Sequence, residues 1–317
     1  MSADDARWAV VVVNYGSSAL LEANLAVTVA EAEPDIVVVV DNPTTGRERE
    51  HIRDLSRRER WLLIEPDVNT GFGGGVNLGV AAALEAGATG LLLLNPDARM
   101  GGDAVRTLRS ATAGSPLALC APRIMTPGGS VWFAGADVSL VDGRTRSHAK
   151  RAQYPGEEIW EWLTGACLWF TAALWHATGG FDEDYFLYWE DVDFSRRVVA
   201  AGGTLRLVAD SVAVHDEGAT HRSNRQTSRS KSETYYYFNI RNRMLFAVRF
   251  LDEEGIRRWR AGVTASAREV ILRGGRAQLL RSSAPWRAYL RGVRDARRIA
   301  DEGLRLGGSG VGAAVRG

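Results

Sequence analysis

Lysine is almost missing from this 317-residue chain, which has only Lys150 and Lys231. No Gly-Lys-Ser/Thr triplet exists, so a Walker-type phosphate loop is excluded. The residues after the first apolar run read VVVNYGSS and hold no GxGxxG, which argues against a nicotinamide dehydrogenase. No apolar run reaches about 18 residues, so no membrane-spanning helix is expected. The first residues lack a basic segment followed by an apolar core, so no signal peptide is expected. Cysteine is scarce too. Cys120 and Cys167 both sit in apolar runs, LALCAP and GACLWF, and read as buried thiols rather than a disulfide. These absences favour a cytoplasmic protein.

What is present fits a globular chain. The 45% hydrophobic content and the length suit one large domain with a smaller appendage. The net charge of +1 hides an asymmetry: residues 241–317 hold 17 Arg against 7 acids, a net of +10, and residues 1–240 carry −9. Such a tail could meet phosphates or an anionic membrane, or be a solvated helical face.

The first third alternates strand and helix. WAVVVV (8–13), IVVVV (36–40), WLLI (61–64) and LLLL (91–94) read as buried strands. Helices are expected over 17–32, capped by Ser17 or Ser18, and over 47–58 and 76–86. This order implies a parallel sheet with helices on both faces, whose ligand lies beyond the carboxyl ends of the strands. Asp41, the Gly71 segment and Asp97 all fall at those ends. Further on, 131–140 reads as a hairpin around Gly135, and 142–156 as a polar, mobile loop. A strand is expected at 165–171, helices at 172–178 and 190–201, and two short strands at 205–208 and 212–214. Residues 216–229 read as flexible. Helices follow from Ser232, with breaks near Gly255, Gly274-Gly275 and Pro285.

Four features carry chemistry. Asn14-Tyr15 and Asp41-Asn42 are polar groups placed directly after buried runs. A carboxylate there can accept from a pyrimidine N–H or a ribose hydroxyl, although Asp-Asn-Pro is also strong turn chemistry. In NTGFGGGVN (69–77), four glycines in five residues permit close approach of a ligand, and the helix after them offers free N–H groups to an anion. Asn95-Pro96-Asp97 ends the LLLL strand. The fourth, GGFDEDYFLYWEDVDFSRR, ends at Arg197 and interleaves carboxylates with rings just before a helix. Rings pack on the C–H faces of a sugar and carboxylates take its hydroxyl protons. A dipole-capping role covers an acid or two here, but not the whole cluster. Asp193 reads as structural, pairing with Arg196 or Arg197.

In order and spacing, these motifs over residues 8–243 resemble the family 2 inverting glycosyltransferases, nearest to the rhamnosyltransferase-like branch. The resemblance implies a GT-A fold: a Rossmann-like mixed α/β sheet flanked by helices, here with a C-terminal helical extension. It implies a catalytic domain over 1–235, a basic helical region over 236–306 and a disordered tail over 307–317. Asp191 would be the general base, with Glu190 orienting it or touching the acceptor. The nucleotide sugar would meet Asn14, Tyr15, Asp41, Asn42, Gly71, Phe72, Gly73, Asn77, Asn95, Gly165 and Arg243, and the acceptor Tyr188 and Trp189. Asp97 and His215 would hold Mg²⁺ or Mn²⁺, although Asn95 departs from the usual acidic-x-acidic pattern. The implied donor is a nucleotide-diphospho-sugar. The implied acceptor is a glycan, a lipid-linked sugar or a small molecule, with no nucleic acid partner. The basic helices suit a membrane-face acceptor, and a homodimer is compatible. Two rivals are weighed. A sugar-phosphate nucleotidyltransferase should have a basic glycine-rich loop where this chain reads NYGSSALLEAN. A non-catalytic binding protein would be expected to lose Asp97 or Asp191.

Overall fold

A computed structural model describes residues 7–216 and 231–307. The expectations for 216–229 and 307–317 fall, but for Asp216 and Gly307, outside the described residues.

The strands in chain order are β1 (Trp8–Asn14), β2 (Ile36–Asp41), β3 (Leu62–Ile64), β4 (Gly90–Leu94), β5 (Ala98–Met100), β6 (Ala118–Met125), β7 (Val131–Phe133), β8 (Ala136–Ser139), β9 (Thr145–Ser147), β10 (Ile159–Trp162), β11 (Cys167–Thr171) and β12 (Thr204–His215). The main sheet runs β3-β2-β1-β4-β11-β6-β12-β5, with β7 paired to β6. The first four strands are parallel, β11 is antiparallel to β4, and β12 runs parallel to β6. The mixed sheet follows from this reversal at β11. All seven residues of β1 are buried, as expected of a strand covered on both faces.

The glycine-rich segment differs from expectation. The helix begins at Gly71, not at Val76, and spans Gly71–Glu85. Two of its glycines, Gly75 and Gly79, serve close packing against the sheet. A Cβ on Gly75 would lie 2.7 Å from Val13, and one on Gly79 would lie 2.5 Å from Val11. Without side chains there, the helix sits directly on β1 and β2. Over 18–32 the helical run is continuous but includes one π-helical stretch, Leu21–Leu25, and Ser17 caps it by accepting from Leu20 N at 3.3 Å.

The middle departs further. Residues 131–140 form no hairpin: β7 joins the main sheet, while β8 pairs with β9 and β10 in a second, three-stranded sheet. Gly135, with φ +85°, lies at this switch. The polar segment 142–156 holds β9 and a 3-10 turn, His148–Gln153. The two strands expected over 205–214 are one, β12, with an irregularity between Val208 and Val212.

Five helices complete the described chain: Glu233–Phe250, Glu253–Ala261, Val263–Leu272, Arg276–Arg281 and Ala284–Arg305. They build a second core around Trp259, Tyr236 and Phe246, which also takes in Tyr185, Trp189 and Val192. No helix among the described residues is long and apolar enough to cross a membrane. Both cysteines are free and buried, and burial pushes the Cys120 thiol up to about 11.

Candidate active site

β1, β2 and β4 are parallel and adjacent, so their carboxyl ends share one edge of the sheet. There Asn14 Nδ2 donates to Asp41 Oδ1 at 2.8 Å, and both residues are buried. Burial raises the Asp41 carboxyl above its ordinary value, while the Asn14 bond and the Arg49 charge 3.9 Å away pull it back. Asn42 accepts from Thr70 N at 2.8 Å and donates to Gly71 O at 3.2 Å, tying the start of the glycine helix to β2. Tyr15 is 59% exposed and stands at the mouth of this edge.

The glycine helix in turn holds the acidic segment. Gly71 has φ +72°, and a Cβ on it would fall on the Phe186 carbonyl, which accepts from Phe72 N at 2.7 Å. Gly73 lies under Phe181. Asn77 clamps the Phe181 backbone from both sides, donating to its carbonyl and accepting from its N–H, each at 2.9 Å. The side chains of Asn42 and Asn77 are thus committed within the protein, Asn42 also accepting from Thr70 Oγ1 at 3.0 Å and Asn77 donating to Glu183 Oε1 at 2.9 Å.

Glu190 and Asp191 open the helix Glu190–Ala200. Asp191 accepts from Gly165 N at 3.0 Å and Val192 N at 2.9 Å. Burial pushes its carboxyl up to about 6, and the backbone donors hold it down from higher values. Glu190 is buried, with Oε2 unpartnered, and burial together with the Asp191 charge raises it well above the usual range. Asp191 with its donors therefore ionises before Glu190. Gly165 also touches Phe72: a Cβ there would lie 3.0 Å from that ring and 3.6 Å from Asp191 Cβ. Asp193 pairs with Arg197 at 2.5 Å, one of the two structural pairings expected.

The next residue along, Ala166, accepts from Asn95 N at 2.9 Å. Two residues beyond Asn95, Asp97 Oδ1 lies 3.0 Å from His215 Nε2, at the end of β12. His215 is buried, its ring is 4.4 Å from that of Trp132, and its Nδ1 has no hydrogen-bond partner. An imidazole nitrogen and a carboxylate oxygen suit a hard divalent ion, and ligands at adjacent corners of an octahedron about 2.1 Å from an ion are about 3 Å apart. The pair fits a metal.

The expected site residues therefore fall along one chain of contacts: Asn14, Asp41 and Asn42, then Gly71 and Phe72, then Gly165 and Asp191, then Asn95, Asp97 and His215. Arg243 is elsewhere. It is buried against the Trp259 ring at 4.5 Å and bonds to the carbonyls of Trp259 and Asp142. Burial lowers its guanidinium to about 10. Trp189 is buried against Phe246 and Trp259, so it is a core ring rather than an exposed platform. Tyr188 is half-buried, edge-on to Tyr235.

Asn242 holds a position that its sequence neighbourhood does not single out. Asn242 is fully buried, and its Nδ2 lies 2.7–2.9 Å from the carbonyls of Tyr185, Leu187 and Tyr188. Those carbonyls belong to a loop in which Phe186, Tyr188 and Trp189 all have positive φ. Non-glycine residues rarely adopt that conformation, and it persists only where surroundings enforce it. The signal for it in the sequence is an asparagine in a helix interior, where its propensity is poor.

Among the described residues, one group of three could also hold a metal: Asp137, His148 and Glu161, on and beside the second sheet. Arg151 already bridges Asp137 and Glu161, at 2.6 and 2.8 Å, so a cation occupies that position.

No family model matches the chain. It is 29% identical over 231 residues to an N-acetylglucosaminyl-diphospho-decaprenol L-rhamnosyltransferase of Mycobacterium tuberculosis, covering 65% of this chain and 75% of the relative. It is 22% identical over 208 residues to the dTDP-rhamnosyl transferase RfbF of Shigella flexneri, covering 66% and 68%. It superposes on GalNAc-T7 bound to UDP, GalNAc and Mn²⁺ with a TM-score of 0.60 at 13% identity. That match takes in 95% of this chain but only 57% of the larger one. A mannosyltransferase of Pyrobaculum calidifontis bound to GDP-Man and Mn²⁺ gives 0.53 at 16% identity, over 94% and 87%. The chain resembles the rhamnosyltransferase-like family 2 glycosyltransferases, and its fold is the GT-A fold. The sheet order and C-terminal helices described above are thus those of a glycosyltransferase, and sugar transfer is its chemistry.

Proposed function

We propose that this glycosyltransferase moves a deoxyhexose, rhamnose or a close relative, from a nucleoside diphosphate to an acceptor hydroxyl on a lipid-linked sugar, with inversion. The observation that carries the reading is the backbone run 164–167. It binds Asp191 through Gly165 N and Asn95 through Ala166 O. A candidate base and a candidate metal pair thus flank one strand end. The donor and acceptor classes rest on what the two rhamnosyl relatives are named for.

In this reading Asp41 and Asn14 hold the nucleoside, and Asp97 with His215 would hold Mg²⁺ or Mn²⁺. When bound, the ion would neutralise charge on the diphosphate leaving group. Asp191 accepts the proton of the acceptor hydroxyl as that oxygen forms its bond to the anomeric carbon. The bond to the nucleoside diphosphate breaks on the opposite side, which inverts the carbon. Glu190, neutral and buried, leaves Asp191 as the single charge of the pair once the first proton is lost.

The test is thermal stabilisation by dTDP, UDP and GDP, each with and without Mn²⁺, in wild type and Asp97→Ala. One nucleotide should shift the melt in a metal-dependent way that the variant loses. Stabilisation is about 2.7 kcal/mol at 100 times the dissociation constant. No shift with any nucleotide, alongside no donor turnover with lipid extracts, would sink the proposal.

A further inference from the structure

The helix Ala284–Arg305 presents two unlike faces. Ala288, Gly292, Ala296, Ile299 and Ala300 are buried, and a Cβ on Gly292 would come 2.9 Å from Ile240 of the helix Glu233–Phe250. At 3.6 residues per turn, the opposite side gathers Arg291, Arg294, Arg297, Arg298 and Arg305, all exposed. Beside them runs an open groove of about 540 Å³ whose apolar lining is Tyr289, Leu290 and Val293. Asp301, the acid in the groove, is paired with Arg260 at 2.7 Å. Residues 276–306 hold eight Arg against three acids.

Apolar side chains stand out among these cations. Leu290 is 67% exposed, Trp286 is 46% exposed, and Leu280 on the preceding helix is 91% exposed. Trp286 Nε1 donates to Leu279 O at 3.0 Å, so the two helices offer these side chains as one patch. Single exposed leucines are ordinary, but three large apolar groups set in an arginine field are the composition of an interfacial helix. A polynucleotide would satisfy the arginines and leave Leu280 and Leu290 in water. A bilayer interface takes both.

We infer that the helices Arg276–Arg281 and Ala284–Arg305 form a docking face for an anionic bilayer, with lipid phosphates in the arginine groove and Leu280, Trp286 and Leu290 at the acyl boundary. The inference rests on the lipid-linked acceptor proposed above, for which this face would bring the enzyme to the substrate's surface.

The full chain is mixed with phosphatidylcholine vesicles, with vesicles containing about one-third phosphatidylglycerol, and with a single-stranded oligonucleotide. Binding is followed by co-sedimentation, and by anisotropy for the oligonucleotide. We expect binding to the anionic vesicles only, weakened by added salt. Arg294→Gln/Arg297→Gln/Arg298→Gln should weaken it roughly 100-fold, at about 1 kcal/mol per arginine. Leu280→Ser/Leu290→Ser should weaken vesicle binding and leave any oligonucleotide binding unchanged. Equal binding to both vesicle types, an unaffected arginine variant, or a leucine variant that binds vesicles like wild type would each overturn the inference. So would an oligonucleotide that competes fully with vesicles, or a dimer in solution that the same variants dissociate. Melting temperature checks that both variants fold. Transfer to a soluble acceptor without vesicles should persist in both. If wild type transfers to that acceptor but ignores vesicles, the docking face is wrong and the transferase reading stands.

Discussion

Asp191 and Glu190 show how two neighbouring acids are given different work by their hydrogen bonds. Asp191 has two backbone donors and Glu190 keeps an unpartnered oxygen. With the Asp191 carboxyl pushed up to about 6, it is protonated below that pH and cannot accept a proton. Transfer should therefore fall on the acid side with an apparent pKa near 6, measured as kcat/KM against pH at saturating metal. The stability sign is opposite. A carboxyl raised in the folded state favours folding at low pH, and that contribution is lost as pH rises through about 6. Asp191→Asn should lower kcat by about 10²–10⁴ while nucleotide-induced melting shifts persist. Near-normal turnover in this variant would show that the base lies elsewhere. The acid pair was conspicuous in the sequence because carboxylates interleaved with rings are a distinctive composition. Asn242 was not, since its role lies in three carbonyls 54 to 57 positions away. Asn242→Ala removes the amide donor shared by those carbonyls and should cost about 1–3 kcal/mol, read as a lower melting temperature. Turnover should fall with it even well below that temperature, because the loop entering Glu190 relaxes.

At the scale of elements, the glycine segment is the instructive case. Sequence alone marks it as special but not why. Four glycines suit a ligand-cradling loop and equally suit a helix pressed onto a sheet. Val13 fills the place of an absent Cβ on Gly75, Val11 does so for Gly79 and the Phe186 carbonyl for Gly71, so these glycines let the helix pack on β1 and on the acidic segment. Gly71→Ala combines positive φ with a backbone collision, so it should destabilise by more than about 1 kcal/mol, the cost of αL strain alone, and shift the acidic segment. Gly46→Ala, with open space around it, is the control and should melt like wild type. The strands β1, β2 and β4 were readable because continuous valine and leucine runs have one stable use, a strand buried on both faces. The middle misled because β7 and β8 are three and four residues long and pair with different sheets. Strands this short carry too few residues for the local pattern to choose between neighbouring partners.

At the scale of the whole molecule, the C-terminal helices are no detachable appendage. Trp259 is fully buried against Phe246 and near Trp189, the residue just before the acid pair. Deleting such a tryptophan costs about 3–5 kcal/mol, much of a typical domain's 5–15 kcal/mol. A chain cut after Leu251 should therefore lose its cooperative melt, not merely its surface charge. For this reason the docking face is better probed by point variants on its exposed side. The charge asymmetry was plain in the sequence. That its arginines collect on one side of the last helix needed the packing of Gly292 against Ile240 to fix which side faces out.

The loop before the acid pair is braced from two directions. Asn77 and Gly71 grip it from the first third of the chain, while Asn242 and Arg249, the latter 2.8 Å from Asp182, grip it from the last. Synthesis supplies these braces at different times. When residue 200 leaves the ribosome, the sheet edge and both acids exist, but one brace is still unmade. The order of synthesis therefore makes the braced geometry of this loop one of the last properties the chain acquires. A stalled or truncated product ending before the helix Glu233–Phe250 would hold the acids without the loop geometry that aims them.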